Sequence, residues 1–543
     1  MCANQLQVFR LNSWSLAALI LVAALSGCAT VMQDAGLGPA KDANGDATAT
    51  GAAPADNGPD AAAAAAKSAA LEKAIAGKTD ELAAAYAERA EAFAQKPDPD
   101  AAIADLDHIL VLEPGSGLAS IVRGEIKVNK NDFTGGIADF TRAITVQLPA
   151  ADGSNTASLP ALHHLLGEQF PGMRPNDLAN AYYLRGTTKQ AQGDIAGAIA
   201  DLDQAIATDA DFSAAYNSRG IAKGLVQDGA GAVDDFTHAI ASDANAADAY
   251  ANRGRIYLAM RNPDLALKDL NRAIELKPDW ATAYFDRASI RQKTGDLDAA
   301  IEDLTKAISL KTNYADAYFN RALDYDRHGN LASALDDYNK IIELRPDSAD
   351  AYANRGIDKY RQNDMDAAIA DFTKAIALKR DFVKAYLERA VADRIKGDTA
   401  GAIADYTKVI ELADTDTGMY PQLFRSVFMR EANGGAATQE FTDTVNGWPD
   451  SWPRRVGSYL AGSLSESDLL DQADRAEGRA ASAHHCDACY FIGMNYLIAG
   501  KTDTAKDFFQ KCVATGRDDL FAFKFAQAEV ARLSPPPAAA PAS

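Results

Sequence analysis

Small and large apolar residues recur along this chain in a fixed order. Between Ala247 and Pro278, Tyr250 and Gly254 lie one turn apart on one helical face; after a break at Asn262-Pro263, Ala266, Leu270 and Ala273 recur at helical spacing on a second. The pattern predicts two helices joined by a tight turn, the small residues permitting close approach and the large ones filling the groove between helices. The same unit, A-Y-x-N-R-G followed about fifteen residues later by A-I-x-D, recurs in variant form nine times. Its arginines keep the register: Arg89 and Arg123 are 34 residues apart, and Arg185, Arg219, Arg253, Arg287, Arg321, Arg355 and Arg389 follow one another at the same 34-residue interval. A helix pair of this length cannot bury its apolar faces alone, so neighbouring pairs must stack. The predicted fold class is all-α, a superhelical solenoid of antiparallel helix pairs with a long concave surface.

In period and in residues the unit resembles the tetratricopeptide repeat. Counting Ala247 as the first position, Tyr250 fills the aromatic slot, Gly254 the close-approach slot, Ala266, Leu270 and Ala273 the packing slots of the second helix, and Pro278 closes it. Gly193-Asp194 and Gly295-Asp296 supply the interhelix turn in other repeats. Two departures stand out: Arg occupies a slot that the family usually gives to Leu, and the closing Pro is replaced at Ala210, Ala244 and Thr312. The resemblance implies a concave face lined by the second, fifth, sixth, ninth, twelfth and thirteenth positions of each first helix. Those positions bring Tyr183, Ile221, Leu225, Phe285, Phe319, Leu323, Ile357, Tyr360 and Leu387 to a groove, with Asn252, Asn320 and Asn354 among them. Aromatic anchors beside amides suit an extended peptide or a helix laid in the groove, with packing against the next helix as the competing role for each residue. The fifth position holds Ala251, Phe285, Phe319 and Ala353 rather than the basic residues that clamp chaperone C-termini, so chaperone tails are not the expected ligands.

A second charge accompanies the arginines. Asp105, Asp139, Asp201, Asp235, Asp269, Asp303, Asp337, Asp371 and Asp405 each follow the arginine of their own repeat by 16 residues. A bidentate arginine–carboxylate pair suits a partly buried helix junction. The pairs Arg253–Asp269, Arg287–Asp303, Arg321–Asp337 and Arg355–Asp371 are therefore assigned to the architecture, as a structural ladder, and not to ligand gripping.

The start of the chain carries different chemistry. Arg10 precedes an apolar run from Trp14 to Leu25, short for a membrane span and suited to a signal-peptide core. The run ends in Leu25-Ser26-Gly27-Cys28, which resembles the bacterial lipobox; the resemblance implies cleavage after residue 27 and acylation of Cys28. Two or more acyl chains anchor stably where one does not. Ala29 is not the aspartate that retains many lipoproteins at the inner membrane, so the expected location is the outer membrane, lipid-anchored and facing the periplasm. Residues 28–60, rich in Ala, Gly, Asp and Pro, read as a flexible tether with a span of roughly 30 Å. Residues 61–82 read as an N-terminal capping helix, 83–148 as repeats one and two, 149–178 as an insertion containing His163-His164, and 179–416 as repeats three to nine. Residues 417–485 read as a degenerate repeat around Arg425 and a helical linker, 486–533 as a terminal repeat and capping helix, and 534–543 as a disordered tail.

A formal charge of -21 disfavours nucleic acid and anionic surfaces and favours a cationic partner. Of the five cysteines, Cys2 falls in the signal segment and Cys28 at the lipidation site; Cys486, Cys489 and Cys512 remain. His484-His485-Cys486-Asp487-Ala488-Cys489 offers potential zinc ligands, but Cys489 and Cys512 occupy packing slots of the terminal repeat, and a disulfide among the three stays open. Gly500-Lys501-Thr502 lacks the first glycine of a phosphate loop, Asn495 standing there, and neither G-x-S-x-G nor H-E-x-x-H occurs. No metal, cofactor or enzymatic activity is expected. The block of Trp452-Pro453, Tyr459-Leu460-Ala461-Gly462, Cys486, Tyr490-Phe491-Ile492-Gly493 and a closing helix resembles outer-membrane tetratricopeptide lipoproteins of the new-lipoprotein-I type. That resemblance implies an adaptor recruiting envelope proteins, above all cell-wall hydrolases, synthases or a protease; an assembly factor of the pilotin or barrel-assembly type and direct peptidoglycan binding are the alternatives, and a homodimer stays open.

Overall fold

The computed structural model describes residues 79–95, 98–146 and 177–534. The signal segment, Cys28, the tether, most of the capping segment 61–82, nearly all of the insertion and the C-terminal tail lie outside the described residues. Two units, residues 2–294 and 295–543, are described separately. Among the described residues there are 25 helices and no strand, and no helix is long and apolar enough to cross a membrane.

In the first unit the helices are α1 (Thr79–Gln95), α2 (Pro99–Leu112), α3 (Gly117–Asn129), α4 (Phe133–Thr145), α5 (Asp177–Ala191), α6 (Ile195–Thr208), α7 (Ser213–Leu225), α8 (Gly229–Ser242), α9 (Ala247–Ala259), α10 (Pro263–Leu276) and α11 (Ala281–Thr294). They stack as successive hairpins, each second helix packing on the first helix of the next pair. Although residues 146–176 separate them in sequence, α4 and α5 pack directly, with Ala143, Ala181 and Leu184 in one core with Phe140, Leu106 and Ile121.

The second unit continues the scheme with α12 (Leu297–Leu310), α13 (Ala315–Arg327), α14 (Leu331–Leu344), α15 (Ala349–Arg361), α16 (Met365–Leu378), α17 (Val383–Lys396) and α18 (Thr399–Leu412). The period then fails. Helix α19 (Thr415–Asn433) is followed by three short helices, α20 (Gln439–Asn446), α21 (Trp452–Leu460) and α22 (Glu466–Asp474), and by α23 (Gly478–Ile498), α24 (Thr502–Ala514) and α25 (Phe521–Leu533). The first helix of the terminal repeat, α23, thus begins well before residue 486.

Each hairpin is closed by local chemistry. The second helices α2, α4, α6, α8, α10, α12, α14, α16 and α18 all start behind an Asp or Asn whose side chain accepts the amide of the third helical residue, from Asp98 to Asp398. Before most of these caps the backbone turns left-handed, at Gly193, Gly295, Gly329 and Gly397 but also at Asn131, Gln227, Arg261 and Asn363. Between the helices, side-chain sizes are matched. A Cβ on Gly124, Gly220, Gly356 or Gly493 would come within 2.7–2.8 Å of the ring of Phe140, Phe236, Phe372 or Phe509 respectively. Where the second helix supplies Phe at this place, the first helix supplies Gly.

The charged ladder is part of the same junction. Arg321 Nε and Nη2 donate to both oxygens of Asp337 at 2.8 and 2.7 Å, and the same bidentate pairing joins Arg89 to Asp105, Arg123 to Asp139, Arg185 to Asp201, Arg219 to Asp235, Arg253 to Asp269, Arg355 to Asp371 and Arg389 to Asp405. Arg287 closes the first unit and Asp303 opens the second. The remaining nitrogen reaches backward. Nη1 donates to Thr141 from Arg185 (3.1 Å), to Asp203 from Arg219 (2.6 Å), to Thr237 from Arg253 (3.0 Å), to Asn271 from Arg287 (2.7 Å), to Thr305 from Arg321 (2.9 Å), to Asn339 from Arg355 (2.7 Å) and to Thr373 from Arg389 (3.0 Å). Each of these seven arginines therefore ties its own first helix to the preceding helix pair, and its guanidinium also lies over the tyrosine ring three residues before it, as Arg321 does over Tyr318 at 5.6 Å, whereas Arg123 has Ser120 at that place.

In four repeats a lysine on the first helix adds a bond to the ladder aspartate: Lys127, Lys189, Lys223 and Lys359 lie 2.7–2.9 Å from Asp139, Asp201, Asp235 and Asp371. On α17 the equivalent residue is Asp393, opposite Asp405. Burial, with Asp405 and Asp398 nearby, pushes its carboxyl up to about 6 against the pull of Arg389 and Lys396. A carboxyl with a folded pKa above its unfolded one binds its proton more tightly in the native state, so its stabilising contribution is complete below about pH 4 and lost as pH rises through about 6. Asp393→Asn, which cannot ionise, is expected to stabilise the second unit by about 1–2 kcal/mol near pH 7 and to be neutral near pH 4. Urea midpoints at the two pH values check this; equal shifts at both would contradict it.

Candidate partner-binding face

Within each unit the first helices present their second, fifth, sixth, ninth, twelfth and thirteenth positions along one face. In the first unit that face carries a hydrogen-bonded polar row. Asn252 Nδ2 donates to Asn217 Oδ1 at 3.1 Å, Arg255 Nη1 donates to Asn252 Oδ1 at 2.9 Å, and Arg255 Nε donates to Asp286 Oδ2 at 2.7 Å. The row crosses three consecutive repeats on α7, α9 and α11. All four side chains are partly exposed. Burial raises the Asp286 carboxyl, and the Arg255 guanidinium pulls it back down. Apolar groups flank the row: Ile221 packs toward Phe236 and Ile256, and the Tyr183 ring lies 5.0 Å from that of Phe212.

In the second unit α13 offers Phe319, Asn320 and Leu323, all partly exposed, with the Phe319 ring set edge-on to Tyr338 at 6.1 Å. Asn354 accepts from Lys384 Nζ at 3.0 Å. Beyond it the closing helix packs on the first helices. Helix α25 lies against α17, Arg394 at the twelfth position of α17 bonds Glu529 at 2.6 Å, and Lys524 Nζ sits 5.1 Å over the Tyr360 ring.

One expected groove residue, Phe285, is corrected, and two others, Tyr360 and Leu387, have a neighbour within the chain. Phe285 is buried, its relative exposure only 9%, and belongs to the packing of the first unit. Tyr360 and Leu387 are half-exposed and pack against the C-terminal core, and Lys524 of the closing helix lies over the Tyr360 ring. Tyr183, Ile221, Asn252, Phe319, Asn320 and Asn354 are half-exposed as well. Asn217, Arg255 and Asp286 were not singled out from the sequence. Arg255 and Asp286 are 31 residues apart rather than 34, because their bond joins the ninth position of one repeat to the sixth of the next.

The tempting histidines have other uses. His484 stacks on Trp452 with ring centroids 4.2 Å apart, and His485 Nδ1 is 3.2 Å from Asp474. Among the described residues no group of three or more His, Cys, Asp and Glu could hold a metal ion.

Stacked helix pairs in this register form a tetratricopeptide-repeat solenoid, a fold whose proteins act as protein–protein interaction scaffolds and bind peptide or protein partners. Family models for the tetratricopeptide repeat match residues 179–212, 254–324, 315–348, 353–417 and 487–515. Several solved structures are similar to parts of the chain. MamA is 29% identical over 30% of this chain and 96% of its own, with a TM-score of 0.29. YrrB, described as a TPR protein with an unusual peptide-binding site, is 22% identical over 34% of this chain and 95% of its own, with a TM-score of 0.31. A tetratricopeptide repeat protein from Parabacteroides merdae is 18% identical over 50% of this chain and 97% of its own, with a TM-score of 0.34. Among curated proteins, none matches the chain.

Proposed function

We propose that this protein is a lipid-anchored envelope scaffold that holds an extended segment of a partner protein along the first-helix face of residues 177–294, and that its partners are peptidoglycan-processing enzymes or a protease of the cell envelope. The observation that carries the reading is the row Asn217–Asn252–Arg255–Asp286: a line of donors and acceptors across three repeats, set among apolar side chains, matches the needs of a peptide backbone with alternating apolar groups. The sequence Leu25-Ser26-Gly27-Cys28 supports the anchor, and the charge of -21 supports a partner with a basic face. The outer membrane, facing the periplasm, is the proposed location.

Capture from detergent-solubilised envelopes, comparing the wild type with Asn217→Ala/Asn252→Ala, tests the groove. This double variant leaves the Arg255–Asp286 pair in place, and circular dichroism checks that it folds. Loss of a cell-wall hydrolase, synthase or protease from the captured set is the expected result, and an unchanged set would move binding off this face. Secretin or barrel components in its place would favour an assembly factor, and cosedimentation of the purified protein with peptidoglycan would favour direct glycan binding. In cells fractionated without detergent, Cys28→Ala should shift the protein from the membrane to the soluble fraction.

A further inference from the structure

The terminal repeat contains three thiols, and the fold brings two of them together. Cys486 on α23 and Cys512 on α24 have their sulfurs 2.9 Å apart, and both residues are fully buried. Even carbon atoms, smaller than sulfur, make their best non-bonded contacts at about 3.5–4.0 Å. The pair faces across the α23–α24 hairpin, so a bond here would join the two helices of one repeat. Cys489, one turn along α23 from Cys486, is also fully buried, and burial pushes its thiol up to about 11. A metal does not account for the cluster: His484 and His485 are engaged by Trp452 and Asp474, and Asp487 accepts from Tyr420 at 2.6 Å and Trp452 at 3.1 Å.

We propose that Cys486 and Cys512 form a disulfide that staples the first helix of the terminal repeat to its second, leaving Cys489 as the free thiol. The oxidant is a disulfide of the exchange class, such as oxidised glutathione or an oxidised C-x-x-C protein. One cysteine thiolate attacks that disulfide and releases one thiol; the other thiolate then attacks the mixed disulfide and releases the second. The two cysteines lose two electrons and two protons, and the oxidant leaves as two thiols. Because both sulfurs are closed off in the folded repeat, exchange takes place before the hairpin closes, or when it opens. The bond ties the two helices of the terminal repeat across their hairpin and stabilises it chiefly by restricting the unfolded chain.

The test is to refold the full chain from its reduced, denatured state in a mixture of oxidised and reduced glutathione, block free thiols with N-ethylmaleimide in denaturant, and digest with trypsin. The expected product links the peptide Ala480–Lys501 to Cys512–Arg517, with fragmentation placing the maleimide on Cys489. Reductant should lower the melting temperature of the oxidised protein by several degrees. Cys489→Ser should keep the link, and Cys512→Ser should abolish both the link and the response to reductant. Maleimide on all three cysteines after oxidative refolding, or a link through Cys489, would overturn the proposal.

Discussion

Phe424→Ala is expected to destabilise the C-terminal part of the second unit by about 3–5 kcal/mol, the range for deleting a large buried aromatic side chain. Phe424 on α19 is 2% exposed, and its ring lies 5.2–6.3 Å from those of Tyr406, Tyr420, Phe428, Tyr490, Phe491 and Phe525. Those rings come from α18, α19, α23 and α25, so one side chain joins the last regular repeat, the degenerate helix, the terminal repeat and the closing helix. A cavity here cannot collapse easily because rings border it from four helices. Next to this core, Arg394 bonds Glu529 and Glu431 and stacks on Phe428 at 4.7 Å, which fixes α25 against α17. Urea unfolding followed by near-ultraviolet dichroism measures the loss; a shift below about 1 kcal/mol would show that these rings do not act as one core.

The second large effect is expected at the ladder. Arg321→Ala should cost about 3 kcal/mol, as when one member of a largely buried ion pair is removed. The variant loses the bidentate pair to Asp337, the backward bond to Thr305 and the stacking on Tyr318 and Tyr325. Asp337 is 4% exposed and burial already raises its carboxyl, so the abandoned charge is the dominant penalty. Arg321→Lys restores a charge without the planar fork and is expected to recover less than half of the loss. Arg321→Ala/Asp337→Leu, which removes both charges, should recover most of it. Urea midpoints of the three variants give the comparison, and an unchanged midpoint for Arg321→Ala would refute the assignment of the ladder to stability.

What could be read from the sequence was whatever recurs as residue identity at a fixed step. The 34-residue period, the Arg and Asp of the ladder and the Asp or Asn before each second helix are of this kind, and each corresponds to a bond repeated in the structure. The acceptor behind each arginine was not visible, because Asp203, Thr237, Asn271 and Asn339 share a function and not an identity. Position alone also failed to separate groove from core at Phe285, where burial depends on the neighbouring side chains. The placement of α25 over Tyr360 and Arg394 had no periodic signal at all: it depends on a fold-back more than a hundred residues long in sequence.

The backward bond from arginine to the preceding helix pair makes the repeats interchangeable parts. Each carries one plug, the Nη1 of its arginine, and one socket, the Asp, Asn or Thr that follows its ladder aspartate by two residues. Any repeat can therefore succeed any other, and material added between two of them leaves the joint unharmed, as Arg185 still meets Thr141 across the inserted segment. Such a chain can lengthen or shorten by whole repeats during descent without redesigning a junction. Its reach can then be fitted to the spacing of the structures it connects while its contacts evolve separately.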